Sequence, residues 1–235
     1  MGRPMFTNIV AMQFVVAMCY FGNNKFVRTG HAIESPPYIV VHSESEFEVR
    51  LYRESLWMSA LIRGTTSFKK STKDGFHRLY QYIHGANLNS TSVALSAPVL
   101  TTIFTSNSSS STQGPDQYHY TRLYLYGKYE KAPPQPFPEL NLELEKWTSH
   151  CIAVRKFSGF AADDNVGKEV ESLRNSLNTH VLINGNKTPP LVVVDKSSYS
   201  IAQYNSSRRL IGRLNEVWIH VVSGFSAEGC LPFQV

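Results

Sequence analysis

This sequence is short of the residues and spacings that covalent and metal chemistry need. It has three cysteines in 235 residues, and no Cys-x-x-Cys pair, which excludes a zinc ribbon and a thioredoxin-type redox site. It has no Gly-x-Ser-x-Gly elbow, no His-Glu-x-x-His helix and no phosphate-binding glycine loop. Asp163-Asp164 and the series Glu139, Glu143, Glu145 read more simply as a helix cap and a solvated strand face than as acid–base pairs. Nothing in this pattern calls for an enzyme, although a dispersed triad is defined by geometry rather than by order. Charge is also sparse, at 17% of residues with a net +5. Arg3, Lys25 and Arg28 precede the first acidic residue, Glu34, and the remainder holds 20 basic against 18 acidic residues. Without a basic run or an RNA-type aromatic motif, nucleic acid is not an expected partner.

Long apolar runs are missing too. Ile9 to Phe21, broken by Gln13, is too short to span a bilayer of ~30 Å but suits the core of a signal peptide behind Arg3. Residues 1–32 are therefore read as a signal with cleavage between 22 and 32; a buried first helix or short anchor is the alternative. No stable membrane span is expected after processing, and the expected location is secreted, extracellular or endomembrane. Asn89, Asn107, Asn186 and Asn205 each open a glycosylation sequon, the third weakened by Pro189. Cys19 would leave with the signal. Cys151 and Cys230 could pair, but Cys151 lies in an apolar strand, where a buried free thiol is the simpler expectation.

The strongest pattern is an alternating strand, Phe47-Glu-Val-Arg-Leu-Tyr52, followed by a helix within Ser71 to Asn87. Phe76, Leu79, Tyr80 and Ile83 form its apolar face, and Gly85 offers a left-handed end. Strands are expected at Tyr38–His42, Leu56–Ile62, Val93–Thr105 (interrupted at Pro98), Tyr118–Tyr126, Leu140–Trp147, His150–Phe157, Leu191–Val194, Tyr199–Gln203 and Glu216–Val222. Tyr118, Tyr120, Arg122, Tyr124 and Tyr126 form a ladder on one side of their strand. Asp163 or Asp164 is expected to cap a second helix whose stripe is Val166, Val170, Leu173 and Leu177. Strand, helix, strands thus occurs twice, with Val49–Tyr52 loosely echoed by Val154–Phe157. The expected fold is α+β: a distorted antiparallel β-barrel of two pseudo-repeated halves with two main helices, over residues 33–223, with a loose tail at 224–235.

Of eight histidines, His77 and His84 share one side of the first helix and flank Tyr80, which suits a flat ligand or a metal; two polar residues at a wet helix border is the plainer reading. His31, His42, His119, His150, His180 and His220 carry no ligand spacing.

Six motifs occur in order: Phe47-Glu-Val-Arg-Leu-Tyr52, Gly75-Phe76 with Tyr82-Ile83-x-Gly85-x-Asn87, Ala97-Pro98-Val99, Pro133-Pro-x-Pro136, Val154-Arg-x-Phe-x-Gly159 and Asn215-Glu-Val-Trp218. Together, over Pro37 to Val222, they resemble the SOUL haem-binding protein family, especially its secreted, plant-type branch. The resemblance implies a barrel similar to the ligand domains of bacterial multidrug regulators, and reversible, non-covalent binding of haem or other tetrapyrroles without catalysis. It places the porphyrin against Lys73, Phe76, His77 and Tyr80 of the first helix, with Arg208 and Arg209 on the loop before Asn215. His77 and His84 are the axial candidates, and no metal ligand is assigned. Binding of other flat hydrophobic molecules, or of a protein partner, is the alternative on the same scaffold. The chain departs from the family at Leu51, where some members carry a histidine, at Leu95-Ser96 in place of Met-Thr, and at Leu214 in place of a basic residue. A porphyrin needs apolar walls and a cation at its rim. Burying about 200 Å² of wall at about 25 cal/mol/Å² contributes about 5 kcal/mol before association costs.

Overall fold

The computed structural model describes residues 33–104, 118–184, 193–223 and 230. The expected signal segment with His31, the sequons at Asn107 and Asn186, and most of the tail lie outside them.

The strands are β1 (Tyr38–Ser43), β2 (Glu48–Tyr52), β3 (Ser55–Arg63), β4 (Val99–Phe104), β5 (Tyr118–Leu125), β6 (Leu142–Trp147), β7 (His150–Phe157), β8 (Val193–Val194), β9 (Ser198–Gln203) and β10 (Asn215–Ser223). Two long helices, α1 (Phe68–Ile83) and α3 (Val166–Asn184), flank the single turn α2 (Lys128–Lys131). All strand pairings are antiparallel, in the order β1-β2-β7-β10-β9-β4-β5-β3-β6, with β8 beside β10. Exchanging β2 with β6, β3 with β7, β4 with β9 and β5 with β10 reverses the β2-to-β6 path, so the two halves are interleaved equivalents. The first strand of each half pairs with the second strand of the other: β2 with β7, and β6 with β3. The echo between Val49–Tyr52 and Val154–Phe157 is thus a pairing of neighbours; β7 has β3 as its topological counterpart.

Alternation puts the two faces of the sheet to different use. On one face α3 covers Val49, Ala153, Ile201, Val217 and Ile219 with Val166, Val170, Leu173 and Leu177, the expected stripe. On the same face α1 lays Leu79, Tyr82 and Ile83 over Met58, Ala60, Ile62, Leu123 and Leu125. The other face curls on itself around Tyr52, Trp57, Leu100, Tyr124, Ile152 and Trp218. The curl brings Trp147 of β6 within 6.0 Å of His220 of β10 and 5.3 Å of His150 of β7, ring centre to ring centre. Because α1 covers its outer side, β5 is buried on both faces rather than amphipathic.

Four local readings are corrected. The first helix begins at Phe68, with Ser67 accepting from the Lys70 amide at 3.0 Å. Asp163 does not cap its own helix: its carboxylate accepts from Ser67 Oγ at 2.8 Å and from the Phe68 amide at 2.5 Å, across the halves at the start of α1. Glu145 is no solvated residue, since it takes a two-pronged ion pair from buried Arg122 at 2.7 and 3.2 Å. Cys151 is not a free thiol; it is joined to Cys230, which pins the expected loose tail at that point.

Candidate functional site

The buried face of α1 is Phe68, Ser71, Gly75, Leu79, Tyr82 and Ile83. Small residues stand where the helix lies closest to the sheet. A Cβ on Gly75 would meet Thr121 Cβ at 2.4 Å and Ile62 Cδ1 at 2.9 Å, and Ser71 Oγ hydrogen-bonds His119 Nδ1 at 2.5 Å. Burial lowers the pKa of that histidine, which keeps it neutral beside the hydroxyl. Tyr82 donates to the Pro134 carbonyl at 2.9 Å, and burial pushes its phenol up to about 12.

With the seat centred on Gly75 and Leu79, the expected apolar face splits. Leu79 and Ile83 are core. Phe76 is half-buried, and Tyr80 is 48% exposed. On the outer side Phe76, Tyr80 and His84 follow one another at successive helical turns, with ring centres 6.1 Å and then 3.9 Å apart. Lys73 and His77 stand exposed on the same side. Lys70 is paired with Asp74 at 2.5 Å, while Lys73 makes no ion pair among the described residues.

The end of this strip is held firmly. Gly85 takes φ +105°, a conformation that favours glycine. Buried Asn87 donates to the carbonyls of Tyr82 and Thr91 at 3.1 and 2.8 Å and accepts from the Thr91 amide at 3.1 Å. The Gly85-x-Asn87 motif is therefore a helix terminator. His84 sits at the cap, with its Nδ1 2.8 Å from the Tyr80 carbonyl.

Arg208 and Arg209 lie on the β9–β10 loop, closed by the Tyr204 amide donating to the Leu214 carbonyl at 3.2 Å. Both side chains are exposed and outside any ion pair among the described residues. Arg213, which sequence reasoning missed, organises the loop. It is 5% exposed, donates to the carbonyls of Asn205, Ser206 and Arg209, and lies 4.2 Å over the Phe160 ring. Its buried guanidinium leaves Leu210 and Ile211 presented at 73% and 87% exposure. Among the described residues, no hydrogen bond, ion pair or ring contact joins Arg208 or Arg209 to the outer face of α1.

A groove of about 580 Å³ lies on the opposite flank of α1, lined by Leu61, Arg63, Arg78, Pro138, Asn141, Leu142 and Glu143. Arg78 there already serves the carbonyls of Leu61, Leu140 and Asn141. The groove offers no aromatic wall.

The strand motifs prove to be internal. Arg50 reaches Glu216 through two hydrogen bonds of 3.0 and 3.1 Å and Glu48 at 2.8 Å; Tyr204 and Trp218 donate to the same Glu216 at 2.7 and 2.8 Å. Leu51 packs with the cluster under α3, away from the outer face of α1. Among the described residues there is no grouping of three or more His, Cys, Asp or Glu that could hold a metal ion by itself, and no helix long and apolar enough to cross a membrane.

Residues 33–220 match the family model described as SOUL heme-binding protein. The chain is 25% identical over 194 residues to Heme-binding protein 2 of Homo sapiens, covering 80% of this chain and 86% of that one. It is 24% identical over 172 residues to Heme-binding protein 1 of Xenopus laevis, covering 73% and 82%. Among solved structures it is similar to SAV2435 bound to tetraphenylphosphonium, at 11% identity and a TM-score of 0.40, covering 75% and 93%. A likeness at that score supports no inference about ligands.

Proposed function

Because the chain belongs to the SOUL heme-binding protein family, we propose that it binds haem or another tetrapyrrole without covalent attachment, as a carrier or buffer that catalyses no reaction. The observation that carries this reading is the outer face of α1, where Phe76, Tyr80 and His84 form a solvent-facing aromatic strip on a helix whose other side is core. These residues fit a porphyrin. The rings supply an apolar wall. Lys73 on the helix and Arg208 and Arg209 on the loop supply cations outside any ion pair among the described residues, suited to propionates, although Arg209 Nε also donates to the Ile211 carbonyl at 3.1 Å. Haem, once bound, supplies an iron centre with open axial positions; this chain contributes the wall, the rim charges and His77 and His84 beside them.

Titration of the purified protein with hemin should give a saturable shift of the Soret band at micromolar protein; no shift would remove haem as the ligand. Arg209→Ala should weaken binding by about 1–3 kcal/mol, the range for a hydrogen bond to a charged group. Unchanged affinity would move the propionates to other cations.

A second reading, a protein partner or another flat apolar ligand, is favoured by Leu210 and Ile211. A thermal-shift response to several unrelated apolar compounds with no porphyrin preference would support it. We also propose that the protein is exported to an oxidising compartment. The apolar segment Ile9–Phe21 and the Cys151–Cys230 bridge support this. Asn89, exposed beside a turn, is suited to carry a glycan; the side-chain oxygen of Asn205 already accepts from the Leu214 amide at 2.7 Å.

A further inference from the structure

The geometry points to His84, and not His77, as the side chain that supplies an axial nitrogen to the iron of a bound haem, an inference that rests on the tetrapyrrole reading above. A carbonyl oxygen can only accept, so the 2.8 Å contact between His84 Nδ1 and the Tyr80 carbonyl requires the proton to be on Nδ1. In the neutral imidazole the lone pair is then on Nε2. Among the described residues nothing hydrogen-bonds to that atom, and the side chain is exposed. A ring nitrogen held by a backbone carbonyl, with the other nitrogen left without a partner, is the arrangement that orients histidines towards metals: it fixes the tautomer and the direction of the ring.

Three further features hold the ring in place. It lies on Tyr80 at 3.9 Å between centres, with planes 30° apart. Its backbone is the cap of α1, donating to the Tyr80 and Gln81 carbonyls at 3.2 and 3.1 Å. Gly85 and Asn87 fix the chain that follows. A ligand on a backbone fixed in this way loses little freedom on binding. The side chain of His77, on the same side of the helix, makes no hydrogen bond or ring contact among the described residues. The Nδ1 contact alone would serve a purely capping histidine, so the decisive test must respond to iron and not to helix stability.

That test compares hemin with metal-free protoporphyrin IX on the full-length protein, using the wild type, His84→Ala and His77→Ala. Soret titration and electron paramagnetic resonance read the iron, and fluorescence reads the free porphyrin. For His84→Ala, hemin affinity should fall by at least about tenfold, the lower end of what even an outer-shell partner of a metal contributes. The iron signals should change, added imidazole should restore them, and metal-free porphyrin affinity should fall clearly less than hemin affinity, since the free porphyrin loses only the ring's share of the wall and no bond to iron. His77→Ala should leave the iron signals as in the wild type and change hemin and metal-free porphyrin affinity by the same factor, as a neighbour of the wall that does not touch the iron would. If the wild type binds hemin and His84→Ala gives the same affinity and iron spectrum, the assignment is wrong and the carrier reading stands. An equal loss for hemin and metal-free porphyrin, with the iron signals unchanged, would confine His84 to the wall and also overturn the assignment. If the wild type binds neither porphyrin, the carrier reading fails and the assignment falls with it.

Discussion

Arg50 shows how a motif can be legible while its role is not. Phe47–Tyr52 and Asn215–Trp218 are two of the six ordered motifs of the sequence, yet their charged residues face each other inside the curl, two strands apart. Burial favours an uncharged Glu48 carboxyl, but Lys156 and Arg50 outweigh it and hold the pKa below the usual carboxylate value. Glu216→Ala leaves buried Arg50 with Glu48 as its remaining carboxylate and takes the acceptor from Tyr204 and Trp218, so it should destabilise the fold by about 3–5 kcal/mol in urea unfolding. A loss under about 1 kcal/mol would mean that water reaches Arg50. For Cys151 the pairing with Cys230 is one of two readings of the sequence, and the free thiol is preferred for a different reason. Its apolar surroundings are real, and its partner returns from 79 residues away, a separation that no local pattern encodes. Arg213 carried no sequence signal at all, because its partners are backbone carbonyls.

At the scale of elements, α1 was foreseen, but its seat was rotated by roughly one residue step about the axis. Counting apolar residues weights Phe76 and Tyr80, whereas close approach to β5 selects Gly75 and Ser71, which no hydrophobicity scale favours. The error matters for function, since it is what leaves Tyr80 and His84 outside. The α3 stripe was read correctly because Val166, Val170, Leu173 and Leu177 are all aliphatic and the helix packs on aliphatic strands. Its cap was misread because Asp163, placed just before α3, serves α1. Asp163→Ala should therefore cost about 0.5–2 kcal/mol, with faster amide exchange in the first turn of α1 and unchanged exchange in α3. First loss of protection in α3 would contradict the cross-half cap.

At the scale of the molecule, two interleaved halves were legible as a repeated strand–helix–strand order, but the exchange of first strands was not, because register depends on partners distant in sequence. The closed curl also buries histidines. Burial lowers the pKa of His150, and for His220 burial, with His150 adjacent and Asp195 opposing, lowers it from 6.5 to about 4. Above pH 6.5 these rings are neutral in both states. As pH falls from there towards 4, the unfolded chain takes up protons that the folded chain refuses. Stability is therefore full above about pH 6.5 and declines below it, by up to about 1.4 kcal/mol per pH unit for each such ring. Glu48, Glu145 and Asp195, whose pKa values are lowered, add their loss only at lower pH. The urea midpoint should fall between about pH 7 and about pH 5; a flat profile would mean that the rings titrate as in water.

The central claim is that a planar ligand lies on the outside of α1 and not within the curl. Hydrogen exchange of the protein with and without saturating hemin tests it most directly. Protection confined to the α1 segment from Lys73 to Gly85 and the β9–β10 loop around Arg208 and Arg209 is the predicted result. Protection centred on β2, β7 and β10 around Arg50 and Trp218, with none on α1, would contradict it.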